Sequence, residues 1–181
     1  MVDTRPFETY FANRGALPGA SPIAGDEALI LRAGTVYRTG DTKLYAYASV
    51  NGNAVETTIA TIDVWVPIAG TLVEGDAADD FTFAANQWTF IGSNQAVPSF
   101  LTAQISIISA SAPISIYEVG LFVNGVQEGT GMRRGSTNSS PGFFSTTSPY
   151  ALQNGDVVDM RVRNLSGTDN LTVIDAQLII D

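Results

Sequence analysis

Between Phe100 and Asp181 the chain reads as five short apolar segments separated by turn signals, and few folds accept such a pattern. Phe100 to Ala110 alternates, with Leu101, Ala103, Ile105 and Ile107 on one face and Thr102, Gln104 and Ser106 on the other. That period of two is the mark of a half-buried strand. Ile114 to Val123 is apolar at nearly every position and runs into Asn124-Gly125, a dipeptide that supplies the two positive-φ residues of a type I′ hairpin turn. The chain must reverse there. A Gly- and Ser-rich passage leads to Phe143 to Leu152, then a turn at Asn154-Gly155-Asp156. Val157 to Leu165 follows, with Val158, Met160 and Val162 alternating with Asp159, Arg161 and Arg163. In the last segment, Leu171 to Ile180, the alternation assigns Ile174, Ala176, Leu178 and Ile180 to one face.

Further strands are expected upstream at Leu44 to Val50 and at Thr57 to Pro67, the latter with Ile59, Ile62, Val64 and Val66 apolar. Ile68 to Val73 continues past the break that Pro67 imposes, and Phe81 to Phe83 and Trp88 to Ile91 follow. With about eight or nine strands and no long helical pattern, the expected fold is all-β, an antiparallel jelly-roll sandwich. Residues 43–181 form that domain. Residues 1–42 differ in character, because Pro6, Pro18, Pro22 and several glycines interrupt every element, and they are expected to form an extended N-terminal arm. Within it Phe7, Tyr10 and Phe11 fall at i, i+3 and i+4 behind Pro6, so a short helical stretch would present an aromatic face. Ala28-Leu29-Ile30-Leu31 is either a short strand or a turn of helix.

The order of the Asn124-Gly125 hairpin, the Ser-rich strand, Leu152-Gln153-Asn154-Gly155-Asp156, the Val-rich strand, Asn164-Leu165-Ser166-Gly167 and an apolar final strand resembles the trimeric jelly roll of the tumour-necrosis-factor and complement globular-head type. Trp88 to Gly92 resembles the lead-in of phage versions of that domain. The resemblance covers about the last hundred residues and implies a homotrimer.

Composition removes several functions. The chain of 181 residues has a net charge of −9 and a single lysine, Lys43, so it has no basic patch to displace counterions from nucleic acid. With neither cysteine nor histidine it lacks disulfides, thiolate nucleophiles, the usual zinc ligands and the commonest general base. Serines 136, 139, 140, 145 and 148 therefore have no histidine to activate them, and no enzymatic activity or cofactor is expected. Met1 to Pro6 opens no apolar run and no run approaches about 18 residues, so neither a signal peptide nor a membrane partner is expected. On that expectation the sequons at Asn138, Asn164 and Asn170 are coincidences.

Two residue sets remain. Glu74, Asp76, Asp79 and Asp80 place four carboxylates in one acidic loop, a weak candidate for a hard cation such as calcium whose simpler reading is a solvated loop. Arg133 and Arg134 are a possible grip for a carboxylate or phosphate. Where strands are apolar on both sides, one face fills the sandwich and the other needs a partner. On that ground Ile116, Phe122, Phe143, Phe144, Leu171, Val173 and Ile179 are expected at a trimer interface.

Resemblance and arm together point to a virion structural protein. The expectation is a capsid decoration, or cement, protein on the outer capsid surface, bound to the major capsid protein through Phe7, Tyr10 and Phe11. The alternative is the receptor- or glycan-binding head of a phage fibre, whose arm would resemble a repetitive shaft, which residues 1–42 do not.

Overall fold

A computed structural model describes residues 28–32, 35–39, 44–92 and 96–181. The aromatic triplet Phe7, Tyr10 and Phe11 lies outside them. The chain divides into two units, Met1–Thr42 and Lys43–Asp181. In the first, Ala28–Arg32 (β1) and Thr35–Thr39 (β2) pair as an antiparallel hairpin, so the apolar run at Ala28 is a strand.

The second unit is two antiparallel sheets sharing one core. Its strands are Ala46–Val50 (β3), Glu56–Thr57 (β4), Val66–Pro67 (β5), Val73–Ala77 (β6), Phe81–Ala84 (β7), Gln87–Phe90 (β8), Val97–Ser109 (β9), Ser115–Val123 (β10), Val126–Ser136 (β11), Gly142–Leu152 (β12), Val157–Asn164 (β13) and Leu171–Ile180 (β14). The front sheet runs β12-β9-β14-β3-β6 with β4 beside β14, and the back sheet runs β11-β10-β13-β8-β7 with β5 beside β13.

The pairings nest. β10 pairs with β11 around Asn124-Gly125, β9 with β12, β8 with β13, and β3 with β14, and these pairs fall alternately in the back and front sheets. A single long ribbon has been folded at one hairpin and rolled over itself, which is the jelly roll expected from the sequence. At the fold point Asn124 has φ 51° and Gly125 φ 79°, the positive pair that matches the twist of the flanking strands. The Asn124 side chain does more than tolerate the turn. Its Nδ2 donates to Asp156 Oδ1 at 2.7 Å and its Oδ1 accepts from Val157 N at 3.0 Å, tying this turn to the one at Asn154-Gly155-Asp156.

The core fills from both sheets: Trp88, Phe90, Tyr117, Val119, Leu121, Val158, Met160 and Val162 from the back, and Leu101, Ile105, Ile107, Phe144, Leu171, Val173, Leu178 and Ile180 from the front. One end is closed by polar groups. Tyr117, fully buried, shares a hydrogen bond with Ser109 Oγ at 2.8 Å and donates to the carbonyls of Asp169 and Asn170. Burial pushes its phenol pKa up; hydrogen bonds with Ser109 and Ser115 pull it back, and the Asp169 charge adds to the rise. Asn164, also fully buried, caps the following loop by accepting from the backbone N–H groups of Ser166 and Gly167. Its sequon is thus unavailable to a glycan.

Four sequence expectations change. The residues expected to form a strand from Thr57 to Pro67 cross from the front sheet to the back one; only β4 and β5 pair, and Ile62 and Val64 stay half exposed. The expected acidic loop is partly edge strand β6, whose charged residues discourage further strand addition. The Gly-rich passage after Gly125 is β11, where glycine leaves room for side chains crossing from β10: a Cβ on Gly131 would collide with Glu118, and one on Gly135 would meet Ile114 at 2.7 Å. In β14 a register shift between Val173 and Asp175 exchanges the faces. Leu171 and Val173 therefore join Ala176, Leu178 and Ile180 in the core, while Ile174 is only partly covered.

Replacing Asn124 with alanine removes two side-chain hydrogen bonds and puts a residue with no local hydrogen-bonding group in the left-handed region. Urea denaturation should show a loss of about 2–3 kcal/mol.

Candidate interaction face

The two sheets differ in what covers their outer faces. On the back sheet, the crossing segment 61–67 lays Trp65 across β10. Gly120 is what permits this, because a Cβ there would lie 2.9 Å from the indole. Trp65 meets Phe122 edge-on, with ring centroids 5.1 Å apart, and carries the Arg163 guanidinium 4.4 Å above its own ring. Arg161 stacks on Phe122 at 4.5 Å. Beneath them is an ionic ladder: Arg163 Nη1 reaches Asp63 at 2.8 Å, its Nη2 reaches the buried Glu118 at 2.6 Å, and Arg133 Nε reaches the same carboxylate at 3.2 Å. Arg161 pairs with Asp159 at 3.0 Å, and Asp159 also accepts from Gln87 Nε2. The middle of this face is covered by the chain's own residues, and the charges there are paired.

The front sheet has no such cover among the described residues. Its three long strands turn outward Pro98, Phe100, Thr102, Gln104 and Ile108 from β9, Phe143, Ser145, Thr147, Pro149 and Ala151 from the edge strand β12, and Gln177 and Ile179 from β14, while Ser106 is buried. Phe143 is 66% exposed and Phe100 58% exposed. On these strands Asp175 is the one outward carboxylate, and its Oδ1 already accepts from Gly52 N. Two shallow depressions mark the face, about 390 Å³ beside Phe143, Gln104 and Gln177 and about 360 Å³ beside Phe100 and Pro149.

The residues expected at an interface separate accordingly. Phe143 and Ile179 face outward on the front sheet, and Ile116 lies partly exposed on the back sheet. Phe122 is sealed under Trp65 and Arg161, while Phe144, Leu171 and Val173 are core residues with 3% exposure or less. Phe100 and the amides Gln104 and Gln177 were missed in that set; the clean alternation of Phe100 to Ala110 would have found the first two. Arg133 and Arg134 do not converge, since adjacent strand residues point to opposite faces, and Arg133 is spent on Glu118. Ser136 Oγ is buried and donates to backbone carbonyls, a structural pin between β11 and β9. Glu74, Asp76 and Asp79 are exposed and Asp80 partly so. Among the described residues no group of three or more acidic side chains is placed to hold a metal ion.

No protein-family model matches this chain, and no curated protein matches its sequence. Among solved structures it is similar to the globular domain of zebrafish complement 1qA protein, at 13% identity and a TM-score of 0.44, covering 77% of this chain and 96% of that one. It is similar also to murine APRIL at pH 8.0, at 8% identity and a TM-score of 0.48 over 76% and 98% of the two chains. A third is Eiger TNF from S. frugiperda, at 12% identity and a TM-score of 0.44 over 76% and 92%. The nested strand order carries the fold assignment: residues 43–181 are an all-β jelly roll in which, among the described residues, one sheet is covered by the chain's own side chains and the other is not.

Trp65→Ala should remove the cover of the back sheet and lower stability by about 2–3 kcal/mol in thermal or chemical denaturation. Chelation should leave the melting temperature unchanged. A drop of many degrees on adding a calcium chelator would identify Glu74, Asp76, Asp79 and Asp80 as ligands.

Proposed function

We propose that this chain is a non-enzymatic structural protein that self-associates through its front sheet as a homotrimer and decorates the outer surface of a capsid. The observation that carries the association is the contrast between the two sheet faces. A chain of net charge −9 repels its own copies, and the front face is a broad field with a single outward carboxylate on its three long strands, where copies can meet without that penalty. Strands β9, β12 and β14, with ten or more residues each, span roughly 500 Å² before side-chain relief, within a factor of two of the 800 Å² or so that each partner gives to a stable interface. Phe143 and Phe100 are the natural anchors, being large, apolar and exposed in the single chain. The copy number of three follows the sequence resemblance.

The capsid assignment is supported by the sequence: an arm of Gly/Pro-rich character at residues 1–42, the lack of histidine and cysteine, and the resemblance of Trp88 to Gly92 to phage versions of the domain. Negative charge favours the outside of a shell packed with nucleic acid over its lining. Three arms on one trimer make the second and third contacts intramolecular, which raises avidity by roughly 10² to 10⁴.

Sedimentation at micromolar concentration should show a trimer. Phe143→Asp, which places a carboxylate on the contact face but touches no core residue, should release folded monomers. A monomeric wild type would remove the association reading. For attachment, protein with and without residues 1–42 is mixed with stripped capsids and pelleted. The intact protein, but neither the truncated form nor Phe7→Ala with Phe11→Ala, should co-sediment; equal binding by the armless protein would move attachment to the jelly roll.

A further inference from the structure

We infer that Gln104 and Gln177 fix the copy number and rotational register in which chains meet, by exchanging side-chain amide hydrogen bonds across the front-sheet contact. The inference rests on the self-association reading above and concerns what makes that association specific. Gln104 on β9 and Gln177 on β14 stand directly opposite each other, and the register continues the row outward to Ser145 on β12 and Ser49 on β3. A polar row thus crosses the middle of the face. On one side of it lies Phe143; on the other lie Thr102, Thr147, Ile179 and Tyr47, then Phe100 and Pro149.

Among the described residues neither amide has a hydrogen-bond partner, although neighbouring polar groups do: Thr102 and Thr147 share a hydrogen bond at 3.0 Å, and Asp175 accepts from Gly52. Each glutamine therefore brings two donors and an acceptor to the contact with none engaged. Burying them unpaired is unfavourable, and the depression of about 390 Å³ lined by both amides, Phe143 and Ser145 leaves room for an incoming side chain. An apolar contact is non-directional and accepts many rotations of one copy on another. A row of unpaired amides does not. Turning or sliding the partner sets the glutamines against Phe143 or Ile179 or leaves them to single hydroxyls, whereas bringing amide to amide engages donors and acceptor on both sides. This is the role of a polar residue in an otherwise apolar helical interface, where it selects the oligomer at some cost in stability.

The test replaces both residues, Gln104→Leu with Gln177→Leu, and counts copies by native mass spectrometry and sedimentation across micromolar concentrations, with thermal unfolding as a control for the fold. The wild type should give one copy number. The double variant should remain folded and associated but spread over several copy numbers. Should leucine cause precipitation, Gln104→Thr with Gln177→Thr serves instead, since threonine matches the rest of the face and is too short to pair across the contact; the same spread is expected. A double variant as uniform as the wild type overturns this inference alone. A wild type that stays monomeric overturns the association reading, and this inference with it.

Discussion

A hairpin with two consecutive positive-φ residues is the constraint from which the remaining architecture follows. Asn124 and Gly125 fix where the ribbon folds, and with it the register of β10 against β11. Three further pairings nest around that register: β9 with β12, β8 with β13, β3 with β14. A slip of one residue at the tip would turn Val119 and Leu121 outward and Glu118 inward, so core and charge agree on only one alignment. The bonds from the Asn124 side chain to Asp156 and Val157 carry the same register into the next layer of the roll.

The sheets meet solvent in opposite ways because their strands carry different outward residues. The back sheet exposes alternating charge on β13 and β10, and a crossing segment bearing Trp65 lies over it, possible because Gly120 offers no side chain. Glu118, buried beside Arg163 and Arg133, shows that this face is internally neutralised. The front sheet exposes hydroxyls, amides and two phenylalanines, with no element laid over it among the described residues.

Sequence periodicity made much of this legible, and its failures have physical causes. Alternation in Phe100 to Ala110 and Val157 to Leu165 placed β9 and β13 with the right faces, because nothing interrupts their pleat. The same reasoning misplaced Leu171 and Val173, since the register shift before Asp175 inserts a residue that no pattern announces. Glycine hid β11, because its signal is the same whether it makes a loop or clears space for Glu118 and Ile114. Thr57 to Pro67 has strand-like composition yet connects two sheets. The front face was visible only as hydroxyl-rich alternation; that the described residues cover the other face and not this one depends on where Trp65 lands.

The nesting also orders events in time. The two strands farthest apart in the sequence of the jelly-roll unit, β3 and β14, are neighbours in the front sheet, and β14 lies between β3 and β9. Until β14 has been synthesised, the front sheet is two separate pieces, and closing the long loop between its ends carries an entropic cost that only the finished sheet offsets. A growing chain on the ribosome therefore has no complete front face to offer another copy.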